Sequence, residues 1–141
     1  MQVIEVVQYS EEVLDNINAL LPQLSSSAQP IQEHELRFII EQSAVHLLLA
    51  QENGNYFGTL TLVVFPIITG TRAWIEDVVV AESARGKGVG KMLTSEALSL
   101  ANKLGAKTVD LTSRPSRKAA NELYKKAGFE LRESSVYRFN I

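Results

Sequence analysis

Apolar positions change period along the chain, and those changes mark its elements. Val3 to Val7 alternates and predicts a first strand. Ser10 followed by Glu11 and Glu12 is a helix start, and Val13, Leu14, Ile17, Leu20, Leu21 and Leu24 keep helical spacing. Pro22 is expected to end or kink that helix early. Ser25 to Pro30 reads as a loop, and a second helix is predicted over Gln32 to Glu41 with Leu36, Ile39 and Ile40 inward. A strand at His46 to Ala50, a hairpin turn at Glu52-Asn53-Gly54-Asn55 and a long strand from Tyr56 to Phe65 follow. Pro66 to Gly70 is expected to turn the chain into a strand at Ala73 to Val80. The period then returns to helical at Val89, Leu93, Ala97, Leu100, Ala101 and Leu104, closed by Gly105. Lys107 to Thr112 predicts a strand and Arg117 to Ala127 a helix ended by Gly128. Phe129 to Phe139 alternates enough for two short strands or one bent strand. The order β-α-α-β-β-β-α-β-α-β is mixed α/β, with parallel strands expected on either side of the third helix.

Composition narrows the function classes. At 141 residues one domain over 1–141 is expected, with 45% hydrophobic and 21% charged residues and a formal net charge of −2. No basic field argues for a nucleic-acid or membrane partner. The absence of cysteine excludes disulfides, a cysteine nucleophile and thiolate metal sites, and it fits a reducing cytoplasm. The longest apolar runs, Val45 to Ala50 and Leu60 to Ile68, are too short or too broken for a membrane span, and the N-terminus lacks a signal-peptide pattern. His34 and His46 make no metal cluster, so no metal is expected. A homodimer is kept open as an assembly.

The chemistry concentrates after the strand at Ala73 to Val80. Arg85-Gly86-Lys87-Gly88-Val89-Gly90-Lys91 leads straight into a helix. Strand, glycine-rich turn and helix start together make an anion site, because the backbone can approach closely and free N–H groups point outward. Arg85, Lys87 and Lys91 add positive charge, and a pyrophosphate is the expected ligand. A Walker A loop fails because Arg85 stands where its first glycine belongs and Met92 where its Ser or Thr belongs. A dinucleotide fingerprint fails at Lys91 or Leu93. What remains, Arg85-x-x-Gly88-x-Gly90, resembles motif A of the GNAT superfamily of N-acetyltransferases. There the loop, here including Gly86, Lys87, Val89 and Lys91, wraps the pyrophosphate of acetyl-CoA.

Residues 113–129 are similar to motif B of the same family, Asn-x-x-Ala-x-x-x-Tyr-x-x-x-Gly-Phe, with Ala120, Tyr124, Gly128 and Phe129 in register. Arg117 departs from it, standing where many members carry Asn. Either Arg117 reaches a CoA phosphate or Asn121 supplies the amide contact. The resemblance covers essentially the whole chain and implies a centrally splayed mixed sheet flanked by about four helices. It also implies acetyl-CoA as acyl donor and direct transfer to a primary amine of a small molecule or peptide. Such transfer needs a proton acceptor, an oxyanion partner and a proton for the leaving thiolate. The resemblance assigns the oxyanion N–H to Val78 on a bulged strand, pantetheine backbone contacts to Val79 and Val80, and the thiolate acid to Tyr124.

Glu76 and Asp77 are adjacent acids in an otherwise apolar strand, which calls for a reason. Glu76 has the parity of Val78 and is the candidate base; the alternative is a structural ion pair with Arg72 or Arg114. Arg114, Arg117 and Lys118 are either a solvated helix start or a 3′-phosphate site. The resemblance implies that the acceptor is shaped by the first two helices and the loop between them, here Leu20 to Glu41, together with the hairpin at Pro66 to Gly70 and the C-terminal strands; Glu33, Glu35 and Glu41 in the helical part point weakly to a cationic acceptor. Ile75-Glu76-Asp77-Val78 is also similar to the strand of glucosamine-6-phosphate N-acetyltransferases, which keeps an amino-sugar acceptor as an alternative. Arg37, alone among basic residues in the first two helices, counts against a phosphorylated one. A non-catalytic acyl-CoA-binding module is the alternative outside enzymes.

Overall fold

The two-residue turn Asn53-Gly54 sets the register of the sheet. In the computed structural model, which describes residues 1–141, these residues take φ of 52° and 76°, the left-handed pair whose twist suits an antiparallel hairpin. The turn joins β2 (Val45–Glu52) to β3 (Asn55–Ile67). β1 (Gln2–Glu5) lies beside β2 and β4 (Gly70–Val80) beside β3, all antiparallel, while β5 (Val109–Asp110) runs parallel to β4. The sheet order is β1-β2-β3-β4-β5.

Alternation along β2 divides the apolar residues between two layers. Leu48 and Ala50 join Leu60, Leu62, Ala73 and Ile75 against α3 (Val89–Lys103). Leu47 and Leu49 face the other way, onto Val13 and Ile17 of α1 (Glu11–Leu24) and Leu36 of α2 (Glu33–Glu41). α4 (Lys118–Lys126) follows β5. Each fully buried leucine contributes about 1.5–3 kcal/mol, and Leu36, Leu48, Leu49, Leu60, Leu62 and Leu93 are all of this kind.

Ser10 caps α1 as expected, its Oγ accepting from Val13 N–H at 3.2 Å. The helix does not stop at Pro22. It continues to Leu24, where Ser25 N–H closes onto Leu21 C=O, because a proline in the last turn removes only one helical bond. β3 likewise runs through Pro66 instead of turning there. Val64 N–H donates to Ala44 C=O, so even residues of β3 aim their N–H at the β2 side. β2 begins at Val45, opposite Val63; a proline at 66 therefore breaks no ladder bond.

Two expectations fail at the other end of the chain. The strand predicted over Lys107 to Thr112 is hydrogen-bonded as a strand only at Val109–Asp110. Residues 129–139, expected as two short strands or one bent strand, form none, and 130–141 are exposed throughout. The sheet is splayed as expected, but between β4 and its edge strand β5 and not at its centre.

Candidate active site

The site starts from a fork in the sheet. β4 and β5 pair at Ala73–Val109 and Trp74–Asp110, and beyond that point β4 continues to Val80 with no strand on that side. Within this free stretch the ladder to β3 slips: Thr61 lies opposite Glu76 and Thr59 opposite Val79. One residue of β3 thus faces two of β4, a β-bulge at Asp77–Val78. Asp77 takes φ of 50°, a conformation that Asp tolerates better than most residues.

The bulge reverses the strand's alternation. Before it, Ala73 and Ile75 pack on the α3 side; after it, Val78 and Val80 do. The backbone reverses too. Ala73 N–H donates to Thr108 C=O in the β5 direction, whereas Ala81 N–H donates to Phe57 C=O in the β3 direction. Val79 shares the direction of Ala81, so Val78 and Val80 turn their N–H and C=O groups into the open fork. Glu76 and Val78, which simple alternation puts on one face, consequently lie on opposite faces. Glu76 lies on the side of α1 and α2, and its Oε1 accepts from Trp74 Nε1–H at 2.5 Å. It forms no ion pair with Arg72 or Arg114. The chain's ion pairs are Met1–Glu52, Arg37–Glu33, His46–Glu5, Lys125–Glu122 and Arg132–Asp110.

Beside the fork stands the start of α3. A 3₁₀ turn (Glu82–Ala84) leads to Gly86 and Gly88, with φ of 76° and 81°. Gly88 caps α3, and its C=O accepts from Met92 N–H. The N–H groups of Val89, Gly90 and Lys91 are left without helical partners, no side chain caps them, and the first turn holds no acid. Arg85, Lys87 and Lys91 are exposed and unpaired. Gly90 differs from Gly88: it is helical, and a Cβ there would stand 3.1 Å from Leu123 Cδ2 and 3.7 Å from Val80 Cγ2. Its small size lets α3, α4 and the end of β4 converge; positive φ is not its reason.

α4 brings the third set of groups. Tyr124 is buried, its ring edge-on to Phe129 at 5.8 Å between centroids. Burial pushes its phenol above the ordinary value of 10.0, with the Arg117 guanidinium pulling the other way. Asn121 Nδ2–H donates to the carbonyls of Arg114 (2.9 Å) and Arg117 (2.8 Å). Asn121 thereby staples the loop to α4, and its Oδ1 stays free for the amide contact considered for it. Arg114, Arg117 and Lys118 are exposed and unpaired.

One group carries no sequence signal. Ser113, on the continuation of β5 after it has parted from β4, has its Oγ enclosed without a hydrogen-bond partner. A serine in a loop is unremarkable in sequence, and only the packing makes it an orphan. On the acceptor side, Glu33 is bound to Arg37 and Glu35 accepts from Gln32 N–H at 2.7 Å. Both acids thus have local partners, which removes most of their argument for a cationic acceptor. Arg37 also lies 4.2 Å over the Tyr9 ring.

Comparison with known proteins places the chain in a family. The model of the acetyltransferase (GNAT) family matches residues 13–129, and the chain belongs to that family. It is 33% identical over 97 residues to an uncharacterized N-acetyltransferase, YhfO, of Bacillus subtilis (strain 168), a match that covers 67% of this chain and 65% of that relative. The chain therefore spans just under two thirds of that relative's length. A Trypanosoma brucei acetyltransferase structure superimposes with a TM-score of 0.80 at 28% identity, covering 99% of each chain. An aminoglycoside acetyltransferase from an uncultured soil metagenomic sample shares the fold, with a TM-score of 0.87 at 15% identity over 99% of this chain and 95% of its own.

Proposed function

We propose that the protein is an N-acetyltransferase that moves the acetyl group of acetyl-CoA directly to a primary amine. The fork carries this reading: a bulged strand with free backbone groups at Val78 and Val80 opens beside an uncapped, cation-flanked helix start. The two halves suit the two parts of one ligand. Val89, Gly90 and Lys91 N–H groups, with Arg85, Lys87 and Lys91, suit a pyrophosphate; Gly86 and Gly88 give the loop its turn. Val78 and Val80 suit the amides of a pantetheine arm lying in the fork as a strand would, and Val79 holds that edge in place through β3. The Ser113 hydroxyl, which bonds no group of the chain, is a further polar group suited to a ligand in the fork. Arg117, with Arg114 and Lys118, is suited to a CoA phosphate.

Acetyl-CoA supplies the activated carbonyl. Glu76, on the α1 and α2 side of β4, takes the proton of the acceptor amine as its nitrogen bonds to the carbonyl carbon. Val78 N–H faces the oxygen that gains charge, in a position fixed before the reaction. Tyr124, kept protonated by its burial, gives its proton to the sulfur as the C–S bond breaks. A panel of small-molecule and peptide amines, read by CoA release, tests the reading. Turnover of at least one amine is expected; tight acetyl-CoA binding with no turnover of any would instead favour a binding module.

A further inference from the structure

Trp74 stands where β4 is still held on both sides. It is the last residue of that strand with a partner in each neighbour, Val63 in β3 and Asp110 in β5. Glu76 is held on one side only, opposite Thr61, and the bulge with the left-handed Asp77 follows at once. Trp74 and Glu76 share a face because strand residues two apart do, about 6.5 Å along the strand. The indole spans that gap, and its Nε1–H donates to Glu76 Oε1 at 2.5 Å. Trp74 itself is half-buried, whereas Glu76 is exposed.

This bond does little for the fold. It links residues two apart on one strand, closes no loop, and lies where the ladder to β3 already fixes the backbone. What it fixes is a side chain. An exposed glutamate otherwise samples many rotamers, and a donor to a carboxylate makes one of the stronger bonds available to hold it. The kind of donor matters as well. An indole N–H donates and never accepts, so it takes no proton from Glu76. Oε1 is thereby occupied, while Oε2 has no partner in the chain and Glu76 forms no ion pair.

We propose that Trp74 is a positioning residue for the transfer: its N–H ties Oε1 of Glu76 to the laddered part of β4 and so presents Oε2 to the acceptor amine. Trp74 acts here through Glu76, and the role stands only if Glu76 is the base. Orienting a base in advance lowers the barrier without adding a contact to either substrate. Its loss should therefore appear in kcat and not in KM.

The test is a double-variant cycle on acetyl transfer, with acetyl-CoA and the amine of the panel that reacts fastest. Trp74→Phe keeps an aromatic ring on the sheet and removes the N–H. It is expected to lower kcat about tenfold with KM for both substrates nearly unchanged. In the Glu76→Gln background the same change is expected to cost nothing further. An equal loss in both backgrounds, or a rise in KM alone, would make Trp74 a packing residue or a substrate wall and overturn the proposal. If Trp74→Phe fails to fold, β-(3-benzothienyl)alanine in place of Trp74 serves instead, because it has the indole shape with sulfur for the N–H. Failure of Glu76 as base looks different: Glu76→Gln then keeps the wild-type rate, and the role of Trp74 falls with it. A slow Glu76→Gln beside an unaffected Trp74→Phe sinks the role of Trp74 alone. A second readout needs no turnover. Trp74 is the sole tryptophan, and its emission responds to charge at its N–H. The emission is expected to shift between wild type and Glu76→Gln; superimposable spectra would mean that the pair does not form, which overturns the proposal.

Discussion

Tyr124 and Glu76 are held by different means, and their variants should fail differently. Tyr124→Phe keeps the ring against Phe129 and removes only the proton donor, so kcat is expected to fall roughly 10²-fold with acetyl-CoA affinity nearly unchanged. Burial favours the neutral phenol in the folded state. Its contribution to stability is therefore complete below the unfolded value of about 10 and is lost as pH rises through the higher folded value. Melting curves above pH 10 should show wild type losing more stability than Tyr124→Phe, and turnover should show no loss from this group below pH 10. Equal turnover in the two proteins would return Tyr124 to a packing role. Glu76 is held by a neutral indole N–H, and the amide oxygen of Gln can accept the same bond. Glu76→Gln is thus expected to cost under about 1.5 kcal/mol while kcat/KM drops roughly 10²-fold. A wild-type rate in the Gln variant would leave water or Asp77 as proton acceptor.

At the scale of elements, Gly88 and Gly90 separate two jobs that share one loop. Gly88 has open space around a Cβ but a φ of 81°, so Gly88→Val strains the turn that presents the α3 N–H groups. Acetyl-CoA affinity by calorimetry should fall tenfold or more in a protein that still folds; unchanged affinity would remove this loop from the donor site. Gly90→Ala meets Leu123 at 3.1 Å, and overpacking there is expected to cost about 1–3 kcal/mol. Leu123→Ala in the same chain should recover part of that loss, a coupling that a loop-conformation effect would not show. The bulge at Asp77–Val78 matters in the same way: one extra residue in β4 decides which backbone groups meet the fork and which side Glu76 serves.

At the scale of the molecule, α3 joins site and core. Leu93 lies fully buried between the sheet and this helix, and Leu93→Ala is expected to lower stability by about 2–5 kcal/mol in denaturant titration. Acetyl-CoA at a hundred times its Kd should restore about 2.7 kcal/mol by mass action. No ligand rescue of this variant would argue that the donor site is not built on the native α3.

The sequence by itself determined what depends on local spacing. Period-2 and period-3.6 runs placed the four helices and the central strands, Ser10 and Gly105 marked helix ends, and the order Arg85-x-x-Gly88-x-Gly90 then Ala120, Tyr124 and Gly128 named the family. Tertiary structure decided everything that depends on a neighbour distant in the chain. Whether Pro66 breaks a strand depended on where β2 begins. The face of Glu76 depended on a register slip against β3, and its partner proved to be Trp74. The Nδ2 of Asn121 was taken by the loop it holds, and Ser113 became an orphan only once the packing enclosed it. Residues 129–141 show the same divide most plainly: their alternation is that of a strand, but a strand exists only where another backbone lies beside it to complete its hydrogen bonds.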